Sequence, residues 1–513
     1  MNFFKIYLRK QIFMATTLAT PGVYIEEKSS FGSSVVPVQT AVPAFIGYTE
    51  KASRGAKSLF NEPTKISSMG QYEELFGGPP ATKLNITPSD DAPASFDLKF
   101  NDATRYLMYY AMRLFYNNGG ADCYIVSVGN YSDKIEASKL NDPKGGGLTS
   151  LEKHLEPTIV VVPDAILLTP NDCLSLQAAI LSHCGYKMKN RFALLDVIDG
   201  DKERTFDDED VINKFREGIG SNFLQWGAAY YPYLNTTILS GSDIDFTFIE
   251  NSDGLIEILN KEVDDRLAAD DITEARAEGI KAEIAKIADT TEPDAIQSLQ
   301  GTLSTISPKL NLVLETISTM INVMPPSSAM AGALSMVDSS VNVAKAPANV
   351  SLGAVVSPTV NINNDNQEDL NLPLNGKAVN AIRSFQGKGT LVWGARTLEG
   401  NSKDYRYISV RRTMTYLEQS IKFAAEAYVF APNNSTTWST LKSTVSNFLT
   451  NQWQSGLLAG TSPEDAFEVE IGLGMTMTPN DILDGILKMT VRVALTRPAE
   501  FIVITFEQQQ QKS

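Results

Sequence analysis

Hydrophobic positions between Thr17 and Tyr48 are rich in β-branched and aromatic residues and are punctuated by Pro21-Gly22, Pro37 and Pro43. This pattern predicts short strands at 22–26, 35–38 and 44–48. Residues 79–93 are polar and carry prolines, and read as a loop. Tyr106, Leu107, Tyr110, Met112, Leu114 and Phe115 recur at helical spacing, which predicts a helix over 102–117 stopped by Asn118-Gly119-Gly120. A strand follows at 123–128 and a loop at 142–147. From there strands at 158–162, 192–197 and 226–233 alternate with helices at 172–183 and 211–217, a pattern that suggests a small α/β unit with parallel pairing.

The pattern then changes. Residues 260–289 are dense in Glu, Asp, Lys, Arg and Ala, with Ile272, Ile280, Ile284 and Ile287 near helical spacing. They predict one or two solvated helices, hairpinned through 303–320, with no chemical role. After Pro325-Pro326 the chain reads as β-rich and loopy through Asn363-Asn364-Asp365. A strand is expected at 389–393, long amphipathic helices at 411–430 and 438–455, and a strand at 489–495. Arg497-Pro498 is a break, and Phe501, Ile502, Val503, Ile504, Thr505 and Phe506 form a nearly continuous apolar run before a Gln tract. No repeat of fixed period is present.

With 513 residues, 43% of them hydrophobic and 20% charged, the chain has room for roughly three domains and a sizeable core. Its formal net charge of −16 repels phosphate backbones and argues against nucleic acid as a main partner, while favouring solubility at high concentration. Cys123, Cys173 and Cys184 are too few and odd in number for a disulfide framework and fit a reducing compartment. No apolar run reaches bilayer-spanning length, so stable membrane insertion is not expected. Residues 1–13 (MNFFKIYLRKQIF) are basic like a signal peptide, but Lys5, Arg9, Lys10 and Gln11 break the apolar run. They read as an upstream extension, with Met14 as the start.

Candidate chemistry is sparse. A nucleophilic triad would have to use His154 or His183. His183 and Cys184 are adjacent, so on a helix they point about 100° apart and clamp one metal poorly. The stretch 386–390 (QGKGT) fails the phosphate-loop template and reads as a tight turn entering a strand. Residues 472–474 lack the third glycine of a dinucleotide loop. No catalytic, cofactor or metal residue is therefore assigned. Arg411 and Arg412, with Arg396 and Arg406 nearby, form the most arginine-rich stretch of an acidic chain. They serve either ion pairs within the fold or a contact with an acidic inner partner.

Several segments carry a resemblance when taken in order. Residues 21–27 (PGVYIEE) resemble the opening signature of contractile tail sheath proteins. Residues 76–78 (FGG), 115–120 (FYNNGG) with 123–126 (CYIV), 183–184 (HC) with 191–196 (RFALLD), and 230–232 (YYP) match that family co-linearly. So do 325–327 (PPS), 331–332 (AG) and 345–349 (KAPAN). The last third is richest: 392–398 (VWGARTL), 405–412 (YRYISVRR), 430–433 (FAPN), 456–460 (GLLAG) and 497–503 (RPAEFIV). Two departures stand out: 341–344 (VNVA) where members often have Gly-Val-Trp, and the acidic helical segment at about 240–320.

The resemblance implies a mixed α/β (α+β) fold. Its sheath-type core of mixed sheet plus helices would be built from both chain ends, with inserted α/β and helical outer domains. The corresponding division is a 1–13 extension, a linker strand and start of the core at 14–30, a β-rich domain at 31–150, an α/β middle domain at 151–380, a core domain at 381–495 and a linker at 496–513. It also implies a structural subunit without cofactors, stacked as six-membered rings around an inner tube, with baseplate and cap or terminator proteins as further partners. Such a particle would be assembled in the bacterial cytoplasm and be part of a virion or a released phage-tail-like particle. Arg411 and Arg412 are the candidates for tube contact. Apolar, unblocked terminal strands are aggregation hazards unless another chain pairs with them. Val23, Tyr24 and Ile25 at one end and Phe501 to Phe506 at the other are therefore expected to pair with neighbouring copies. The alternatives are another tail component, such as a terminator or baseplate protein, and a soluble α/β enzyme.

Overall fold

The computed structural model describes residues 35–89 and 95–504. The expected strand at 22–26, with Val23, Tyr24 and Ile25, lies outside the described residues, as do Thr505 and Phe506.

Nine strands form the main sheet: β1 (Pro43–Gly47), β2 (Thr64–Ile66), β3 (Cys123–Ser127), β4 (Ile159–Val161), β5 (Phe192–Asp196), β6 (Gly227–Tyr231), β7 (Val350–Ser351), β8 (Asn380–Phe385) and β9 (Gly389–Val392). Their order is β7-β9-β8-β6-β5-β4-β1-β3-β2. The six central strands, β8 through β3, run parallel, and the remaining pairings at both ends are antiparallel. A parallel sheet covered on both faces reads as continuous apolar runs, which is why β1, β4 and β5 are so legible. In β1, Phe45 faces one buried cluster while Ala44 and Ile46 face the other. This one sheet crosses the expected boundaries at 150 and 380.

Helices cover the sheet: α1 (Met108–Asn117), α2 (Pro170–Ser182), α3 (Val211–Gly218), α4 (Ser252–Ala268), α5 (Glu274–Ala285), α6 (Pro293–Ile306), α7 (Pro308–Ile321), α8 (Ser327–Ser340) and α9 (Asn364–Asn371). The expected solvated helices are α4 to α7, and they are more than a decoration. Leu255, Leu259, Ile284, Leu303, Leu310, Val313 and Ile317 are fully buried and continue one of the two main clusters.

Three readings are corrected. Residues 327–340, expected to be loopy, form α8. Their small side chains let the helix bury nearly every face against α1 and the sheet, so no amphipathic stripe marks it. Residues 79–93 contain one strand of a hairpin, Leu84–Pro88 paired with Phe96–Phe100, with Leu84 and Ile86 buried beneath a polar, proline-rich sequence. Residues 35–38 also form no strand. Pro37 supplies no amide donor there, and the segment is held by side chains instead.

Beyond the sheet the chain builds a smaller layered unit. It comprises α10 (Ile408–Glu426), α11 (Ser435–Gln454) and an antiparallel pair, β10 (Phe467–Ile471) with β11 (Met489–Val493). Leu417, Leu441, Val445, Phe448, Leu449, Val469 and Ile471 form its own core, separate from those of the sheet.

Candidate assembly site

The smaller unit is incomplete as a sheet. In β10 and β11 alternate residues face α11 and the core, while Glu468, Glu470 and Arg492 lie on the other face. There Arg492 Nη1 meets Glu468 Oε2 at 2.6 Å and Glu470 Oε2 at 3.0 Å. Among the described residues the pair stands as a two-stranded sheet, so each strand has one edge with no strand beside it. Sheets of two strands are marginal by themselves and usually gain further strands.

Among the described residues, Phe501–Ile504 of the apolar run at the end of the chain pair with no strand. Phe501, Ile502, Val503 and Ile504 are 68%, 80%, 88% and 69% exposed. The residue before them is, by contrast, tightly held. Glu500 accepts from Arg396 Nε at 3.0 Å and Nη2 at 2.7 Å, from Asn371 Nδ2 at 2.7 Å and from the Tyr407 hydroxyl at 2.9 Å. Arg396 is itself buried, and its Nη1 donates to the Asn371 carbonyl at 2.9 Å. Its backbone is locked to β8, because its amide donates to Asn380 Oδ1 and its carbonyl accepts from Asn380 Nδ2, both at 2.7 Å. Partial burial of Glu500 pushes its carboxyl upward, but the Arg396, Asn371 and Tyr407 contacts outweigh it and hold the group below the usual carboxylate range. Neither Arg396 nor Glu500 was singled out from the sequence as a partner of the other. In the sequence each lies in a segment that resembles the sheath family, and Arg396 also stands near the arginine-rich stretch.

The other end is rooted similarly. The Val38 amide donates to Ser420 Oγ at 3.2 Å, and the Thr40 carbonyl accepts from Arg412 Nη2 at 3.0 Å and from the Thr158 hydroxyl at 2.7 Å. Arg412 also pairs with Asp338 on α8, and both side chains are almost wholly buried. Arg411 stacks over the rings of Trp226 and Tyr405, at 4.3 and 4.6 Å, and donates to Glu418 at 3.1 Å. Both guanidiniums are thus engaged inside the fold, in the internal pairing that is one of the two roles open for Arg411 and Arg412.

His183 is buried. Its Nε2 accepts from Arg191 at 2.8 Å, and burial together with that cation pushes its pKa down to about 3. The imidazole therefore stays neutral and locked in a structural bond. Residues 386–388 turn the β8–β9 hairpin, with Gly387 and Gly389 both at φ 75°, a conformation that favours glycine.

Residues 401–509 match the family model of the phage tail sheath C-terminal domain. The whole chain is similar to the sheath complex of an extracellular contractile injection system, PVC, in the contracted state, with 27% identity, a TM-score of 0.58, and coverage of 96% of this chain and 99% of that one. It is also similar to chains of the anti-feeding prophage. One belongs to the helical sheath in the contracted state (26% identity, TM-score 0.59, 96% and 100% coverage), and one to the contracted baseplate (26%, 0.62, 96% and 99%). No curated protein sequence matches the chain.

Proposed function

We propose that this chain, a structural protein of the contractile-sheath type, polymerises by strand donation into stacked hexameric rings around an inner tube. Contraction of that array drives the tube through a target envelope. The likeness over 96% of the chain to sheaths in the contracted state supports the sheath assignment. The observation that carries the mechanism is a complementarity. Among the described residues the chain presents an exposed apolar segment with no partner strand, and a two-stranded sheet with two open edges. Residues 501–506 of one copy, and 23–25 of another, would extend β10 and β11 of a neighbour to four strands.

The energetics are adequate. Each new backbone hydrogen bond is worth about 1 kcal/mol net. Each large apolar side chain taken from water adds about 1.5–3 kcal/mol. Even after the ordering cost of a segment, several kcal/mol remain per linker. The broader contacts between rings can then break and re-form while the linkers hold, giving a bistable array that shortens without nucleotide hydrolysis. The particle would be assembled in the bacterial cytoplasm and carried in a virion or a released phage-tail-like particle, with tube, baseplate and cap proteins as partners.

Deleting 501–513 tests this reading. The shortened protein should keep the melting temperature of the unassembled parent within about 2 °C, since Phe501–Ile504 stand exposed. It should form no tubular polymer in negative-stain micrographs at concentrations where the parent does. Polymer of normal length from the shortened chain would remove strand donation.

A further inference from the structure

Residues near both ends of the described chain are fastened to the same helix. Val38 and Thr40 are bound by Ser420 and Arg412, which lie on α10 eight residues apart, or about 12 Å along its axis. Glu500 is bound by Tyr407, the residue that enters α10, and by Arg396, which is bridged to Tyr407 in a short antiparallel contact. Beyond the C-terminal root Phe501 is 68% exposed, while beyond the N-terminal one Val36 is 76% exposed and Val35 is again buried, in the cluster that Leu417 of α10 joins.

This arrangement matters because of what lies between the roots along the chain. From Val38 to Glu500 the covalent path runs through the nine-stranded sheet, α11 and both strands of the open sheet. A pull on the last strand, if carried by the backbone alone, would peel β11 from β10 in a direction that opens one hydrogen bond at a time. The bonds to Glu500 divert the pull. Tension arriving at Phe501 passes through the carboxylate to Tyr407 and Arg396, along α10, and out through Arg412 and Ser420 to the N-terminal segment. Helical hydrogen bonds lie along the axis and resist such a pull together. Residues 427–499, including the open sheet, are left outside the path. The Arg412–Asp338 pair and the Asn380–Arg396 bonds brace the helix against the sheet.

We propose that α10 is a tie-bar, with Glu500 and Ser420 as its two fastening points, that passes tension between the terminal segments and shields the strand-accepting sheet from it. The proposal rests on the strand-donation reading. It is tested on polymers of the full-length chain carrying Glu500→Gln or Ser420→Ala. Three quantities are measured: melting of the unassembled protein, polymer length before shear, and polymer length after calibrated shear. Each variant should melt within about 2 °C of the parent and assemble to parental length. After shear its mean length should fall about threefold below the parent's, because a charge-assisted or buried bond in the force path is gone. Shear resistance equal to the parent's in both variants overturns the tie-bar. So does breakage matched by an equivalent loss of stability in the unassembled chain, which would mark a general structural role. If the 501–513 deletion abolishes polymer while both variants withstand shear, the tie-bar alone falls. If the deletion polymerises normally, strand donation falls first.

Discussion

Buried carboxylates show how single residues tune this fold. Asp196, at the end of β5, accepts from the Ser327 amide at 2.9 Å and from the Ser327 hydroxyl, and so caps the start of α8. It has no cation beside it, and burial, set only partly against those two bonds, pushes its pKa up to about 6. A raised folded-state value means the native chain prefers the protonated form. The stability this group contributes is complete below its unfolded value near 3.8 and is lost as the pH rises through about 6. Asp196→Asn imitates the protonated form. It should therefore stabilise the protein at pH 8 by on the order of 1–3 kcal/mol, at about 1.4 kcal/mol per unit of displacement. That advantage should shrink as the pH falls through 6 and vanish only below about 3.8 in parallel thermal melts, and a destabilised variant at pH 8 would show that the ionised group is needed there. Glu500 is the opposite case. Its value is depressed by Arg396, so its contribution is full above the ordinary carboxylate value and is lost only as the pH falls beneath it. Arg411 and Arg412 teach a related lesson. An arginine cluster in an acidic chain looks like a docking patch, but a guanidinium buried beside Asp338 or between aromatic rings is held by its own fold.

At the level of elements, α8 decides how closely the parts pack. A Cβ placed on Gly332 would stand 2.5 Å from the Phe115 carbonyl oxygen and 2.7 Å from Asn118 Cβ, so α8 and α1 meet nearly backbone to backbone. In a helix interior Gly→Ala normally stabilises by about 0.5–1 kcal/mol. Here Gly332→Ala should instead destabilise by about 1–3 kcal/mol through overpacking, measured by urea unfolding, and the sign alone diagnoses the close approach. The same feature explains why α8 was invisible to periodicity, which detects helices with one wet face. The strands at 158–162 and 192–197 were legible because burial on both faces makes them uniformly apolar. The helix at 102–117 was legible through its stripe and its Asn-Gly-Gly stop, and the structure trims it to Met108–Asn117 after a short turn at Asp102–Thr104. The acidic segment betrayed its helices but not its depth. Its isoleucines and leucines belong to a four-helix layer whose inner face merges with the main core, and charge density on the outer face hid that. Pairing across distance was least legible of all, since nothing local to Glu500 announces Arg396, in an isolated bridge 104 residues away.

For the whole molecule, a donated strand at one site and an accepting edge at another make a heterologous contact, which extends into an open array instead of closing a pair. On the strand-donation proposal each copy must both give and receive. A chain cut after Glu500 keeps β10, β11 and the root held by Arg396, so it can receive a neighbour's strand but cannot give its own C-terminal one. Every such copy built into a growing array leaves one acceptor edge empty beyond it. Mixing the shortened chain with full-length protein should therefore shorten polymers well below stoichiometric ratios, with mean length falling roughly as the inverse of the shortened fraction, as for any end-capping subunit in a linear assembly. A chain shortened to the same point and also carrying bulky charged residues on the outward edges of β10 and β11 should lose this poisoning effect, because it neither gives nor receives. Length distributions from micrographs of the two mixtures decide the matter. If the shortened chain merely dilutes the full-length protein and leaves polymer length unchanged, the open edges of β10 and β11 are not the acceptors, and the exposed run at Phe501–Ile504 must be matched to some other surface.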